Sequence, residues 1–226
     1  MTFSLVGRCE RTNMFGVAIT TSSICVGSRC PWVCHGVGAV ATQNVTLPSI
    51  GNMVLEKIAD GLKAQTALDE VLDKLTDIEH RQVTVIGNNG ETAGFSGEKM
   101  LGKNAMAYGK QCIAAGNLLN SDLLPSLMVN SFENNQEKHL AERLLEGIEV
   151  GLYDGGGEVG NVHSAALVVS HEQSWPLVDL RCDWDDDDPI TTLRSLWTKY
   201  EPQMDDYMIR ALNPNLAPSY GVPGDE

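Results

Sequence analysis

The run Gly36-Val37-Gly38-Ala39-Val40-Ala41-Thr42-Gln43 carries no polar side chain until its last two positions. Successive residues of a strand point to opposite faces, so a strand with two apolar faces has to be covered on both. Its glycines and alanines also let a second sheet approach closely. The rest of the chain must therefore supply layers on either side of a sheet. At 226 residues it is long enough to do so. A chain of this size removes on the order of 70% of its unfolded surface from water and needs no disulfide or metal to hold its fold.

The remaining pattern supplies those layers. Phe3 to Cys9 and Phe15 to Ser23 are apolar or β-branched runs joined by the polar Glu10-Arg11-Thr12-Asn13, which predicts an antiparallel hairpin. Ile50, Val54, Ile58 and Leu62 recur at helical spacing, and so do Leu68, Val71, Leu72 and Leu75. Val83 to Gly87 and Thr92 to Ser96 flank Asn88-Asn89-Gly90-Glu91, a turn whose Asn-Gly accepts positive φ. Residues 105–119 read as one strand or two short ones. Helices are expected over Asp122 to Glu133 and His139 to Tyr153, the second stopped by Asp154-Gly155-Gly156-Gly157. Ser164 to Val169 and Pro176 to Arg181 read as a last hairpin, and Pro189 to Leu212 as one capped amphipathic helix. Residues 213–226, with three prolines, read as a loosely ordered tail behind a single domain over residues 1–212. Strand clusters alternate with helix pairs, which disfavours a parallel doubly wound sheet. An α+β arrangement of two stacked sheets between helical layers is the expectation.

Charge and composition narrow the partners. Lys and Arg number 16 against 30 Asp and Glu, a formal charge of −14. A field of that sign repels phosphate backbones, so no nucleic-acid partner is expected. The apolar runs fall far short of the roughly 20 residues a membrane helix requires, so no membrane partner is expected either. Met1 to Arg8 lacks the basic segment and apolar stretch of a secretory signal. The six cysteines, at irregular intervals, read as reduced thiols, which together with that N-terminus points to the cytoplasm.

Few residues stand out for chemistry. Thr2, once Met1 is removed, offers a hydroxyl nucleophile and, on the same residue, an α-amine of pKa near 8 that can serve as its base. A paired strand over Phe3 to Cys9 would hold it in place. Gly116-Asn117, at a strand end, is either a turn or a backbone N–H and side-chain amide aimed at a developing oxyanion. Arg29 is a lone cation in an apolar stretch, able to bind a carboxylate or to pair with one of the many acids. His163 and Ser164 open a buried strand, so their polar atoms need partners, in a site or in a capping network. Arg181 is expected to pair with Asp179, two residues away on the same face. Cys34 beside His35 could be an activated thiol, although neighbours on a strand point to opposite faces. Cys25, Cys30, Cys34 and His35 match no zinc-knuckle spacing, and Asp183 to Asp188 lacks the Gly and Glu of a calcium loop, so neither metal nor cofactor is expected. The aspartates read instead as the N-terminal flank of a helix.

Several of these segments in order resemble one family. Met1-Thr2-Phe3-Ser4, Val26-Gly27-Ser28-Arg29-Cys30-Pro31-Trp32, Gly36 to Gln43, Gly116-Asn117-Leu118-Leu119, Ser164-Ala165-Ala166-Leu167 and Val178-Asp179-Leu180-Arg181 look like the domain-of-unknown-function family numbered 1028, classed with the N-terminal-nucleophile (Ntn) hydrolases. The resemblance runs from about Thr2 to about Tyr200. It implies an Ntn-hydrolase-like four-layer αββα sandwich and, by analogy, hydrolysis of an amide bond in a small polar molecule through an acyl-enzyme. On that reading Thr2 is nucleophile and base, Gly116 and Asn117 shape the oxyanion site, and Arg29, His163, Ser164 and Arg181 line the substrate pocket. A homo-oligomer is expected. The alternative is a non-catalytic small-molecule-binding or interaction protein on the same fold, and a hydrolase working through Cys34 or His163 is a further rival.

Overall fold

In the computed structural model, which describes residues 2–224, the chain forms two antiparallel sheets with helices outside both. β1 (Thr2–Cys9) and β2 (Met14–Thr21) make the first hairpin, pairing Thr2 with Thr21 and Cys9 with Met14. β3 (Pro31–Cys34) and β4 (Gly38–Asn44) follow, then α1 (Ser49–Ala59) and α2 (Ala64–Leu72). β5 (Arg81–Gly87) and β6 (Thr92–Ser96) form the Asn-Gly hairpin. β7 (Ala105–Gly109) and β8 (Cys112–Asn117) take up the next stretch as two short strands. α3 (Leu124–Asn134) and α4 (Leu140–Tyr153) precede the hairpin of β9 (Ser164–Ser170) and β10 (Pro176–Cys182). α5 (Pro189–Tyr200) and α6 (Met204–Leu212) close the chain.

One sheet has the order β10-β9-β2-β1-β8-β7, the other β3-β4-β5-β6. Alternation along each strand divides the apolar side chains among three layers. Phe3, Leu5, Ala114, Leu167 and Val169 leave the six-stranded sheet toward Phe132, Leu144, Ile148 and Trp197 of the helices. Val40, Val83 and Val85 face Ile50, Val54, Leu68 and Val71 on the other side of the molecule. Between the sheets lie Val6, Phe15, Val17, Ile19, Ala39, Ala41, Ile86, Ile113 and Ala166. The order is thus helix, sheet, sheet, helix, and the small residues of β4 sit where the two sheets meet. Each large side chain buried here contributes about 1.5–3 kcal/mol, which is what holds the layers together. No helix among the described residues is long and apolar enough to cross a membrane.

Two local expectations are corrected, and one strand is added. Pro31-Trp32-Val33-Cys34 is a strand that the sequence pattern does not announce. It pairs only with β4, and an edge strand tolerates proline as its first residue. The helix expected from Pro189 to Leu212 breaks at Glu201–Gln203 into a short 3₁₀ turn. Pro202 has no N–H to give to the preceding turn, so the i to i−4 ladder is interrupted there. Ser23 lies outside β2, which stops at Thr21.

Candidate active site

Thr2 opens β1 between two partners, with Thr21 of β2 on one side and Asn117 of β8 on the other. Because Val6 faces the space between the sheets, Thr2 and Ser4 face it as well. The same alternation brings Thr21, Asn117 and Ser164 there from the six-stranded sheet, and Gln43, Gln82 and Thr84 from the four-stranded one. All of these are at least nine-tenths buried. One end of the inter-sheet layer is therefore polar, in contrast to the Val, Ile and Phe of its middle.

The polar end is a hydrogen-bonded network. The Thr2 and Thr21 hydroxyl oxygens are 3.1 Å apart. Gln82 Oε1 accepts from Gln43 Nε2 at 2.7 Å and from Asn117 Nδ2 at 3.2 Å, so the Asn117 amide ties the two sheets together. Gln82 Nε2 donates to Ser96 Oγ at 3.1 Å and the Gly116 carbonyl at 3.3 Å. Ser4 Oγ, Thr84 Oγ1, Gln43 Oε1 and Asn117 Oδ1 are buried with no hydrogen-bond partner among the described residues. Native interiors keep such unmatched atoms scarce, and four of them in one layer mark a place not built for stability alone. Gly116 pairs with Phe3 and Ala105 in the ladder, and a Cβ there would meet Leu119 Cδ2 at 2.6 Å.

Immediately after Asn117 the backbone turns sharply. Leu118 adopts φ 51°, a left-handed conformation that costs a non-glycine residue about 1–2 kcal/mol. Hydrogen bonds from Leu118 N–H to the Leu101 carbonyl at 2.9 Å and from Val159 N–H to the Leu118 carbonyl at 2.8 Å hold it there. The turn brings Leu119 into a bridge with Glu158, whose side chain is 2% exposed. Burial, with no hydrogen-bond partner for either carboxylate oxygen among the described residues, pushes the Glu158 carboxyl up to about 8. In the sequence Glu158 has little local signature, because the glycines before it serve equally as a helix stop. The signal available was a single acid between a triple glycine and a buried strand. Gln43 and Gln82 are equally inconspicuous, as polar residues at the ends of otherwise apolar strands.

The other expected site residues are placed as follows. His163 N–H donates to the Thr21 carbonyl at 2.8 Å, its Nδ1 lies 3.0 Å from the Asp185 carbonyl, and its ring stacks on Trp184 at 4.4 Å. Ser164 Oγ donates to the Ser23 carbonyl at 2.6 Å and accepts from Val26 N–H at 3.1 Å, anchoring the loop after β2. Arg29 Nη1 donates to the Ile24 and Cys25 carbonyls of that loop. Arg181 pairs with Asp183, at 3.0 Å, and not with Asp179, and its stem lies against Gly27. The chain leaves β10 at Cys182, and the departing strand end brings Asp183 back to the guanidinium. Thr2, Asn117, Thr21 and Ser164 thus share one end of the sandwich, while Arg181 sits on the exposed margin of the larger sheet.

Two cavities lie elsewhere. One, of about 250 Å³, is at the β1–β2 turn among Arg8, Cys9, Arg11, Lys110 and Arg143. The other, of about 410 Å³, lies between Cys34-His35 and Ser170, Trp175 and Pro176. Burial raises the Cys34 thiol pKa, which works against a thiolate there. Among the described residues no three His, Cys, Asp or Glu side chains gather as metal ligands would.

The family model that matches residues 2–193 settles the kinship. The chain belongs to a family of unknown function, DUF1028. The crystal structure of the DUF1028 protein SPO2555 from Silicibacter pomeroyi is similar to it at a TM-score of 0.81, with 28% identity over 88% of each chain. Anbu, the ancestral β-subunit, from Yersinia bercovieri aligns with 91% of this chain and 97% of its own at 10% identity and a TM-score of 0.39. A Gly-1 mutant of Anbu from Hyphomicrobium sp. strain MC1 aligns with 92% of this chain and 99% of its own at 11% identity and a TM-score of 0.43. Those two likenesses are too remote to bear on chemistry. No curated protein matches this DUF1028 chain.

Proposed function

We propose that this DUF1028 protein is an amide-bond hydrolase of the N-terminal-nucleophile type, acting on a small polar molecule through an acyl-enzyme. One observation carries the reading. Thr2 opens a strand paired on both sides, and its hydroxyl lies 3.1 Å from that of Thr21 in a buried polar layer. A nucleophile fixed on a rigid strand reaches its substrate with little orientation left to lose.

With Met1 removed, the Thr2 hydroxyl attacks the amide carbonyl and its proton passes to the Thr2 α-amine. The C–N bond then breaks, the ammonium returns that proton to the leaving amine, and a threonyl ester remains. Water, deprotonated by the same amine, hydrolyses the ester and restores the hydroxyl. Asn117 gives one amide hydrogen to Gln82, and the second is assigned to the developing oxyanion. Gly116 keeps side-chain bulk away from Leu119 and so fixes Asn117 in its place. Ser164, opposite Thr21, and His163, which donates to the Thr21 carbonyl, are assigned the near wall of the approach, and Arg29 and Arg181 its outer margin. A homo-oligomer in the cytoplasm belongs to the same proposal; light scattering checks the assembly and fractionation of host cells the location.

The test is direct. Intact mass of protein made in its native host should lack one methionine, and Thr2→Ala should lower turnover of any small amide found active by about 10³-fold or more. Activity that survives in Thr2→Ala, or in protein that retains Met1, sinks the assignment. A second reading, a binding protein on the same fold, is favoured by the cavity of about 410 Å³ beside Cys34-His35, which Thr2 does not line. A small molecule bound tightly without turnover would support it.

A further inference from the structure

Among the described residues, Glu158 and Arg143 are the charged side chains buried in the fold. Arg143 gives its guanidinium to the Phe132 carbonyl at 3.2 and 3.0 Å and lies over the Phe132 ring. Glu158 has no such explanation. Both its carboxylate oxygens are buried with no hydrogen-bond partner among the described residues. An ionised carboxylate enclosed in this way is strongly disfavoured unless a cation or a proton meets it.

The backbone that carries Glu158 is firmly placed. Asn120 Nδ2 donates to the carbonyls of Gly156 at 2.7 Å and Glu158 at 2.6 Å, and the strained turn at Leu118 delivers the bridge to Leu119. The register says what lies beside it. Thr2 stands opposite Asn117, and Leu119, two residues further along, bridges Glu158, so Glu158 lies just beyond the start of β1. That is the side toward which the α-nitrogen of Thr2 projects. Other charged or titratable groups at this end are already engaged. Lys103 donates to the Asn120 carbonyl, Arg29 to Ile24 and Cys25, and His163 is held at Asp185, while burial keeps the Cys30 thiol protonated.

We infer that Glu158 is the positioning residue of this site: its carboxylate accepts an N–H of the Thr2 α-amine and neutralises the ammonium formed when that amine takes the hydroxyl proton. The inference rests on the reading of Thr2 as the first residue of the working protein. The arrangement is one in which a nucleophile is served by a base and the base is oriented by a third group.

The experiment uses full-length protein beginning at Thr2, released from a cleavable N-terminal fusion if the host leaves Met1 in place. The α-amine is titrated by its pH-dependent reaction with an amine-labelling reagent, read by peptide mass spectrometry. Glu158→Gln should lower the apparent α-amine pKa by about one unit or more, and Glu158→Asp by less. If Glu158→Gln does not fold, the comparison is made with Glu158→Asp alone, where any downward shift supports the pairing. An α-amine that titrates identically in the wild type and the folded variants overturns it, whatever the activity. A shift without any amide hydrolysis leaves the pairing standing and sinks the hydrolase reading instead.

Discussion

Thr2 owes its surroundings to three strands at once, and no neighbour in sequence supplies the groups closest to it. The same holds for Glu158, and its burial makes a pH-dependent prediction. A carboxyl raised to about 8 favours the folded state in its neutral form. Its stabilising contribution is complete below the ordinary glutamate pKa of about 4.3 and is lost as the pH rises through the folded value. In protein that keeps Met1, Glu158→Gln should therefore match the wild type in thermal midpoint at pH 4 and exceed it at pH 9. A difference that does not grow with pH would show that the carboxyl is not held neutral. Burial also pushes the Cys30 thiol up to about 11 and that of Cys112 up to about 12. Iodoacetamide at pH 8 should label the exposed Cys34 in native protein, slowly because its thiol is also raised, while Cys30 and Cys112 stay unmodified until the chain is denatured, as read by peptide mass spectrometry.

At the scale of the elements, two contacts decide more than intrinsic propensity does. Gly51 lies in α1, where alanine is the better helix former, yet a Cβ at that position would sit 2.1 Å from the Trp32 ring. Gly51→Ala should thus destabilise the protein, by about 1–3 kcal/mol in urea unfolding, because Trp32 on edge strand β3 must move away from the helix. The aspartate run before α5 acts through hydrogen bonds in the way its position suggests. Asp188 Oδ1 accepts from Ile190 N–H at 2.9 Å and Thr191 N–H at 3.1 Å, which makes it the N-cap. Asp188→Ala should cost about 0.5–2 kcal/mol, and Asp188→Asn markedly less, in the same assay. Asp185 accepts from the Asp187 and Asp188 N–H groups and holds His163 through its carbonyl, so the run also shapes the wall beside Thr21.

Over the whole molecule the three apolar layers share their strands, since every residue that leaves one face of a sheet alternates with one leaving the other. Ile19 belongs to the layer between the sheets. Ile19→Ala should lower stability by about 2–5 kcal/mol while unfolding remains a single transition, because loosening that layer releases both sheets together. Two separate transitions by tryptophan fluorescence and circular dichroism would show that the sheets fold independently. Arg194 joins α4 to α5 through Glu142 at 2.6 Å and Glu149 at 2.7 Å, so the outer helical layer adds a charged seam to the apolar one.

The amino-acid sequence determined the layers. Alternation along β1 and β2, the two-faced apolar run of β4 and the helical spacings in α1, α2 and α4 are local periodicities, and each forces a side of its element out of water whatever the rest of the chain does. Asn88-Asn89-Gly90 and the glycines after α4 are likewise local, since only backbone conformation is at stake. The meeting of Thr2 with Thr21 and Asn117, that of Asn117 with Gln82, the exchange of Asp179 for Asp183 as the partner of Arg181, and the burial of Glu158 were decided by the tertiary structure. Those contacts join residues that lie on different strands or across a turn, and their geometry depends on register, on the left-handed turn at Leu118 and on how the two sheets face each other. Periodicity tells which face of a strand is hidden, but not which polar atom of another strand it will find there.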